Sequence, residues 1–127
     1  MFDWHSFFEL AQELCPASIK TDLDKARCRS SISRAYYSAL SLSRRYIIQM
    51  DGSVTRDQLR NHGYICSYFA ARDSSSETNL ELTGSLQKLM HNRRLADYDD
   101  NYIERLHLMT KRSLRMTDRI TKLLDGL

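Results

Sequence analysis

Proline occurs once in this chain, at Pro16, and glycine only four times, at Gly52, Gly63, Gly84 and Gly126. A multi-turn β architecture needs many residues that tolerate tight turns, whereas helix interiors reject those same residues. Scarcity of both therefore predicts a few long helices joined by short connections. At 127 residues the chain has the size of one domain and can bury a core without covalent staples.

Apolar spacing predicts five helices. The first covers about residues 3–14, with Trp4, Phe7, Phe8, Ala11 and Leu14 on one face, and Pro16 ends it. A long second helix spans about 22–50, with Thr21 as N-cap and Asp51-Gly52 as its stop. Its stripe is Cys28, Ile32, Ala35, Ala39, Leu42 and Tyr46. The third spans about 53–72, with Leu59, His62, Cys66 and Phe69 inward. After a polar loop at Asp73-Ser74-Ser75-Ser76, the fourth spans about 77–96, and a fifth begins near Asp100. The stripe of the fifth is Tyr102, Leu106, Met109, Ser113, Met116, Ile120 and Leu123. Steps of three and four with short connections predict an all-α, up-and-down bundle of about five helices in one domain.

The net charge of +3 is mild, but fourteen arginines stand against five lysines. One reading is solvated helix faces carrying ion pairs four residues apart. The other is a phosphate-bearing partner, since the planar guanidinium grips phosphate as a fork. Three cysteines, Cys15, Cys28 and Cys66, have no paired metal spacing and read as reduced thiols. Nothing in the sequence calls for a metal or a cofactor. No apolar run approaches ~18 residues, so no membrane span is expected. The start, Met-Phe-Asp-Trp-His, lacks an export signal, and the expected location is the cytoplasm.

Two stretches are more specific than a generic helix. One is Arg29-Ser30-Ser31-Ile32-Ser33-Arg34-Ala35-Tyr36-Tyr37-Ser38-Ala39. The other is Leu89-Met90-His91-Asn92-Arg93-Arg94-Leu95-Ala96-Asp97-Tyr98-Asp99. In this order and at this separation they resemble a subfamily of the HEPN superfamily, with His62 between them where that subfamily usually has a histidine. The resemblance implies a helical bundle that pairs as a homodimer, often encoded beside a minimal nucleotidyltransferase that acts as antitoxin. Many such relatives cut RNA without a metal through an arginine and a histidine four to six residues apart. Others have lost catalysis and bind nucleotide, RNA or a partner protein, so the resemblance speaks more directly to fold than to activity.

Metal-independent cleavage needs a proton acceptor near neutral pH and a cation on the phosphate, which histidine and arginine supply. Arg93 matches the catalytic arginine of the resemblance, but Tyr98 stands where the histidine belongs. Tyrosine, with an ordinary pKa near 10, is a poor base at pH 7. A literal arginine–histidine match occurs at Arg56 and His62, although about one such match is expected by chance among so many arginines. His62 also falls on the apolar stripe with Leu59, Cys66 and Phe69, so it reads first as a packing residue and only second as a catalytic candidate. Arg93 has two readings as well. It can bridge to Asp97 at the helix end, or it can join Arg94, Asp97 and Tyr98 around a dimer cleft that receives phosphate. In that cleft His91 would stand in for the missing base. Arg34, aligned with Ser38, Ser41 and Arg45, forms a polar strip suited either to solvent or to an RNA backbone. A tyrosine near the motif is nucleotidylated in some relatives, two residues beyond the histidine, where this chain has Asp100.

Overall fold

Thr21 starts the helix around which the others are arranged. Its hydroxyl accepts from the Asp24 amide at 3.1 Å, and the Asp24 carboxylate accepts from the amides of Thr21 and Lys20. This reciprocal cap satisfies donors that have no partner inside the helix, and Asp22 and Asp24 complement the positive end of its dipole. The computed structural model describes residues 1–72, 76–102 and 105–127. Six helices form among the described residues: α1 His5–Leu14, α2 Asp22–Met50, α3 Arg56–Arg60, α4 His62–Arg72, α5 Glu77–Tyr98 and α6 Leu106–Asp125. The chain is an all-α bundle, and no strand occurs among the described residues. Among the described residues no helix is long and apolar enough to cross a membrane. The expected loop at 73–75, and residues 103–104 near the expected start of the last helix, lie outside the described residues.

Helix directions follow from the side-chain bonds between them. Ser31 Oγ donates to the Ala11 carbonyl at 2.6 Å and Ser38 Oγ to the Trp4 carbonyl at 3.0 Å, so α1 runs antiparallel to α2. Asn92 reaches Ser113 and Glu81 pairs with Arg119, which sets α5 antiparallel to α6. Thr117 Oγ1 donates to the Ala35 carbonyl at 3.1 Å, while Cys28 and Ile32 pack near Leu106, so α6 runs with α2. The main core gathers Tyr36, Leu40, Ile47, Ile65, Phe69, Leu82, Leu86, Leu89 and Ile120, all essentially shut off from solvent.

Three features differ from the sequence reading. The third expected helix is two helices. Thr55 and Gln58 form a capping box that opens α3, and the Asn61 carboxamide then accepts from the Tyr64 amide at 3.1 Å to open α4. Leu59 and His62 therefore belong to different helices. The buried face of α6 includes Thr110 and Thr117, with Met109 and Met116 only half-buried at its edge. The strip of Arg34, Ser38, Ser41 and Arg45 is not a solvated face, because α1 and the segment before it lie across it. Ser38 and Ser41 are buried, the Arg45 guanidinium donates to the Phe2 carbonyl, and Arg34 stacks on Phe7 and Tyr37 at 5.0 and 5.3 Å.

The lower end of the bundle depends on Arg29. From α2 its guanidinium donates to the carbonyls of Ala96 at 2.9 Å, Leu95 at 3.4 Å and Tyr102 at 3.0 Å. The Leu95 carbonyl also accepts from the Asp99 amide at 3.0 Å, whereas the carbonyls beyond it find no amide of their own helix, and a cation there also offsets the dipole. Charge-assisted bonds of this kind are worth about 1.5–3 kcal/mol. Arg29→Met, which keeps the stem and removes the donors, is expected to cost about 2 kcal/mol in urea unfolding and to release amide protection in the last turn of α5. Unchanged stability and protection would mean that this turn is held by something else.

Candidate functional site

The break at Asn61 matters because it aims the first turn of α4 at a groove lined by guanidinium groups. The groove encloses about 490 Å³ between α2, the α3–α4 junction and α5. Arg44, Tyr36, Tyr37 and Leu40 line it from α2; Arg60, Asn61, His62 and Gly63 from the junction; Met90, Arg93 and Arg94 from α5. No carboxylate is among these lining residues. The amides of His62 and Gly63 lie in the first turn of α4, where their own helix offers no carbonyl. A Cβ at Gly63 would stand 3.1 Å from Asn61 Oδ1, a tight contact that would press on the capping carboxamide. Four arginines beside a helix N-terminus make an anion-receptive surface.

Each arginine is held differently. Arg93 is the anchored one, with its side chain 16% exposed. Its Nη2 donates to the Tyr37 hydroxyl, and its Cζ lies 5.7, 5.3 and 5.6 Å from the rings of Tyr36, Tyr37 and Tyr98. Its Nε is 3.1 Å from Asp97 Oδ2, yet it makes no aligned hydrogen bond, so the contact is an ion pair and not a directed bond. Burial opposes the charge on Arg93, but Tyr37, Asp97 and Tyr98 outweigh it and hold its pKa above the ordinary value. Arg44 uses Nε on the Leu59 carbonyl at 2.6 Å, which ties α2 to α3. Arg60 has a loose contact with Asp57 at 3.9 Å. Arg94 is exposed and, among the described residues, has neither an ion pair nor a hydrogen bond.

His62 lies behind this cationic surface. Nδ1 is 2.9 Å from the Tyr36 hydroxyl and Nε2 is 3.4 Å from Cys66 Sγ. Burial, then Arg94 and Arg44, lower its pKa from 6.5. Burial pushes Tyr36 up to about 12 and Cys66 up to about 11, so all three groups are neutral near pH 7. With one nitrogen on a hydroxyl and the other on a thiol, His62 has no lone pair left free for a substrate. Its evident effect is to orient the Tyr36 hydroxyl.

Of the residues singled out in the sequence, Arg93, Arg94 and His62 converge on the groove. Asp97 stands beside them as the partner of Arg93 and also accepts from Ser33 Oγ at 3.4 Å. Tyr98 is 74% exposed and covers Arg93 from outside. His91 is exposed and does not line the groove, and neither does Arg34 or Arg56. Thus the literal Arg56–His62 spacing does not place those two side chains in one lining, whereas Arg44 and Arg60 join it unannounced. Arg44 stands four residues after Leu40 and seven after Tyr37 on one face of α2, a helical spacing that was there to be read; Arg60 comes from a separate element, and the Thr55–Gln58 box and Asn61 were the available signals for that junction. No group of three or more metal-ligating side chains occurs among the described residues.

These features define a helical bundle with a basic, tyrosine-walled groove among the described residues. The chain matches no protein-family model, no curated protein and no solved structure.

The pKa of His62 sets a pH dependence whose sign is fixed. The folded value lies below that of the unfolded chain, so the unfolded chain binds a proton first as pH falls. Stability should be full above the unfolded value of about 6.5, fall as pH drops through it, and stop falling from this source below the folded value. Urea midpoints from about pH 8 to pH 5 should show this loss in the wild type and a shallower one in His62→Gln. Coincident profiles would show that His62 is not held neutral.

Proposed function

We propose that this protein is a HEPN-type helical module of a toxin–antitoxin or defence system whose groove binds the phosphates of RNA without cutting the strand. The observation that carries the reading is the set Arg44, Arg60, Arg93 and Arg94 lining one groove with no lining carboxylate. Tyr36 and Tyr37 give that groove aromatic walls, which suits a nucleic acid better than a bare inorganic anion, because bases stack on such faces. The Tyr37 hydroxyl already accepts from Arg93, which leaves its proton for a phosphate oxygen.

Binding is favoured over cleavage by the state of the proton-transfer groups. Both His62 nitrogens face protein partners, and Tyr98 occupies the position where the HEPN resemblance calls for a histidine. Membership of that superfamily, homodimerisation and a nucleotidyltransferase antitoxin as partner rest on the two motifs alone. They are part of the proposal, as is a cytoplasmic setting.

Each phosphate neutralised on a single strand contributes about 0.7 to the slope of log affinity against log salt. Arg94→Ala is the informative variant because Arg94 is exposed and makes no ion pair or hydrogen bond among the described residues. It should weaken binding of a labelled oligoribonucleotide about ten-fold and reduce the salt slope by about 0.7, with helicity and unfolding midpoint unchanged. Arg93→Ala should weaken binding as well and also lower stability, since it removes a largely covered side chain packed on Tyr36 and Tyr37 and its bond to the Tyr37 hydroxyl. The oligoribonucleotide should remain intact on prolonged incubation. Strand scission abolished by His62→Ala would replace this reading with the ribonuclease one, and binding indifferent to Arg94 would remove the groove from the account.

A further inference from the structure

The other side of α5 forms a second groove with different chemistry. Lys88 and Asn92 of α5 face Met109, Arg112, Arg115 and Met116 of α6 around about 540 Å³. Lys88, Arg112 and Arg115 are exposed, and Met109 and Met116 are half-buried beneath them. Among the described residues none of these three cations has an ion-pair partner, although two nearby cations on α6 do: Arg119 pairs with Glu81 and Lys122 with Asp118. Asn92 is buried, and its Nδ2 donates to Ser113 Oγ at 3.4 Å. The polar group in the floor is thereby engaged within the bundle. What faces outward is thioether below and positive charge at the rim.

We infer that the α5–α6 groove docks an acidic amphipathic helix of a protein partner, its apolar side chains on Met109 and Met116 and its carboxylates on Lys88, Arg112 and Arg115. Charge complementarity selects the sign of the partner, because the lining contains three cations and no carboxylate. Methionine is flexible and polarisable, and such surfaces accept helices with varied apolar anchors. Met109 and Met116 are seven residues apart, about 10 Å along the helix axis. That is the reach of anchors at i and i+7 on a docked helix. Nucleic acid suits this groove less well. Its lining has no aromatic ring, so bases have no face to stack on, and phosphates would leave the thioethers uncovered.

The inference is independent of the RNA-binding reading, and the test keeps the two apart. The probe is a labelled fourteen-residue peptide with leucines at i, i+3, i+4 and i+7 and glutamates elsewhere. A scrambled peptide of equal composition and a labelled oligouridylate serve as controls, all titrated against the whole chain. The amphipathic peptide should bind at least ten-fold more tightly than the scrambled one. Arg112→Glu and Met116→Glu should each weaken it at least ten-fold, and Arg94→Ala should leave it unchanged. Oligouridylate binding should be unaffected by Met116→Glu. If circular dichroism shows that Met116→Glu perturbs the fold, Met109→Gln takes its place. Equal binding of both peptides, or no binding of either, overturns the inference. So does loss of oligouridylate binding in Arg112→Glu, which would make the groove an RNA surface, or a dimer of the chain dissociated by Met116→Glu, which would make a second copy the occupant.

Discussion

Three residues of α2 at steps of four, Arg29, Ser33 and Tyr37, close on the last turns of α5, and the site exists because they do. Arg29 takes the terminal carbonyls, Ser33 reaches Asp97, and Tyr37 accepts from Arg93. In an antiparallel helix pair, residues four apart lie one above another on one face, so this spacing lets one helix grip the other along a single line. The two sequence motifs are the two halves of this contact. Arg29, Ser33 and Tyr37 belong to the first, and Arg93, Ala96 and Asp97 to the second. Their joint presence at a fixed separation has a structural explanation before any chemistry is invoked. The clasp also decides where Arg93 points, because the Asp97 carboxylate and the ring of Tyr37 leave its guanidinium one narrow range of positions.

Much of the bundle was legible because helix signals are local. Thr21 caps α2 where its position suggested, Ser76 at the end of the expected loop caps α5, and the Arg93–Asp97 pair follows from spacing alone. What was not legible depends on how helices meet. Ser38 and Ser41 read as part of a polar strip with Arg34 and Arg45, yet both are buried, as are Ser31 and Ser43 elsewhere on α2. Ser31 and Ser38 donate to carbonyls of α1 and its approach, and Ser43 donates to Ala39 within α2. A serine hydroxyl is small enough to let two backbones approach and can satisfy itself on a carbonyl, so polarity does not predict its exposure. Thr110 and Thr117 mislead in the same way on α6, since each finds a carbonyl, on Leu106 and Ala35. The groove was half legible. Arg93, Arg94 and His62 were marked by their motif or by chemistry, whereas Arg60 enters only through the turn at Asn61 and Arg44 by its place one turn beyond Leu40 on α2.

Gathering four guanidinium groups without lining carboxylates works against folding. Two unit charges ~8 Å apart in water repel by about 0.5 kcal/mol, and more where solvent is partly excluded. The chain limits this cost by treating the four unequally. The most enclosed, Arg93, is paired and stacked, Arg44 is tied to a backbone carbonyl, and Arg60 and Arg94 are left in water, where salt screens them. Keeping His62 neutral avoids a further positive charge behind them. A phosphate entering the groove would relieve the remaining repulsion and meet the Arg93 and Arg44 guanidinium groups already in place, so only the exposed Arg60 and Arg94 would have to be ordered on binding.

Helix α5 is the shared wall of two surfaces with opposite demands. Toward α2 it presents Arg93 and Arg94 beside tyrosines, and toward α6 it presents Lys88 and Asn92 beside methionines. Both surfaces are cationic, so charge alone cannot separate their ligands; the neighbouring side chains must. Rigid aromatic faces favour flat bases, and flexible thioethers favour the irregular apolar edge of a helix. One buried row, Leu82, Leu86 and Leu89, fixes the rotation of α5 and with it the angle between the two surfaces. A ligand on either side therefore meets a helix that its packing has already oriented.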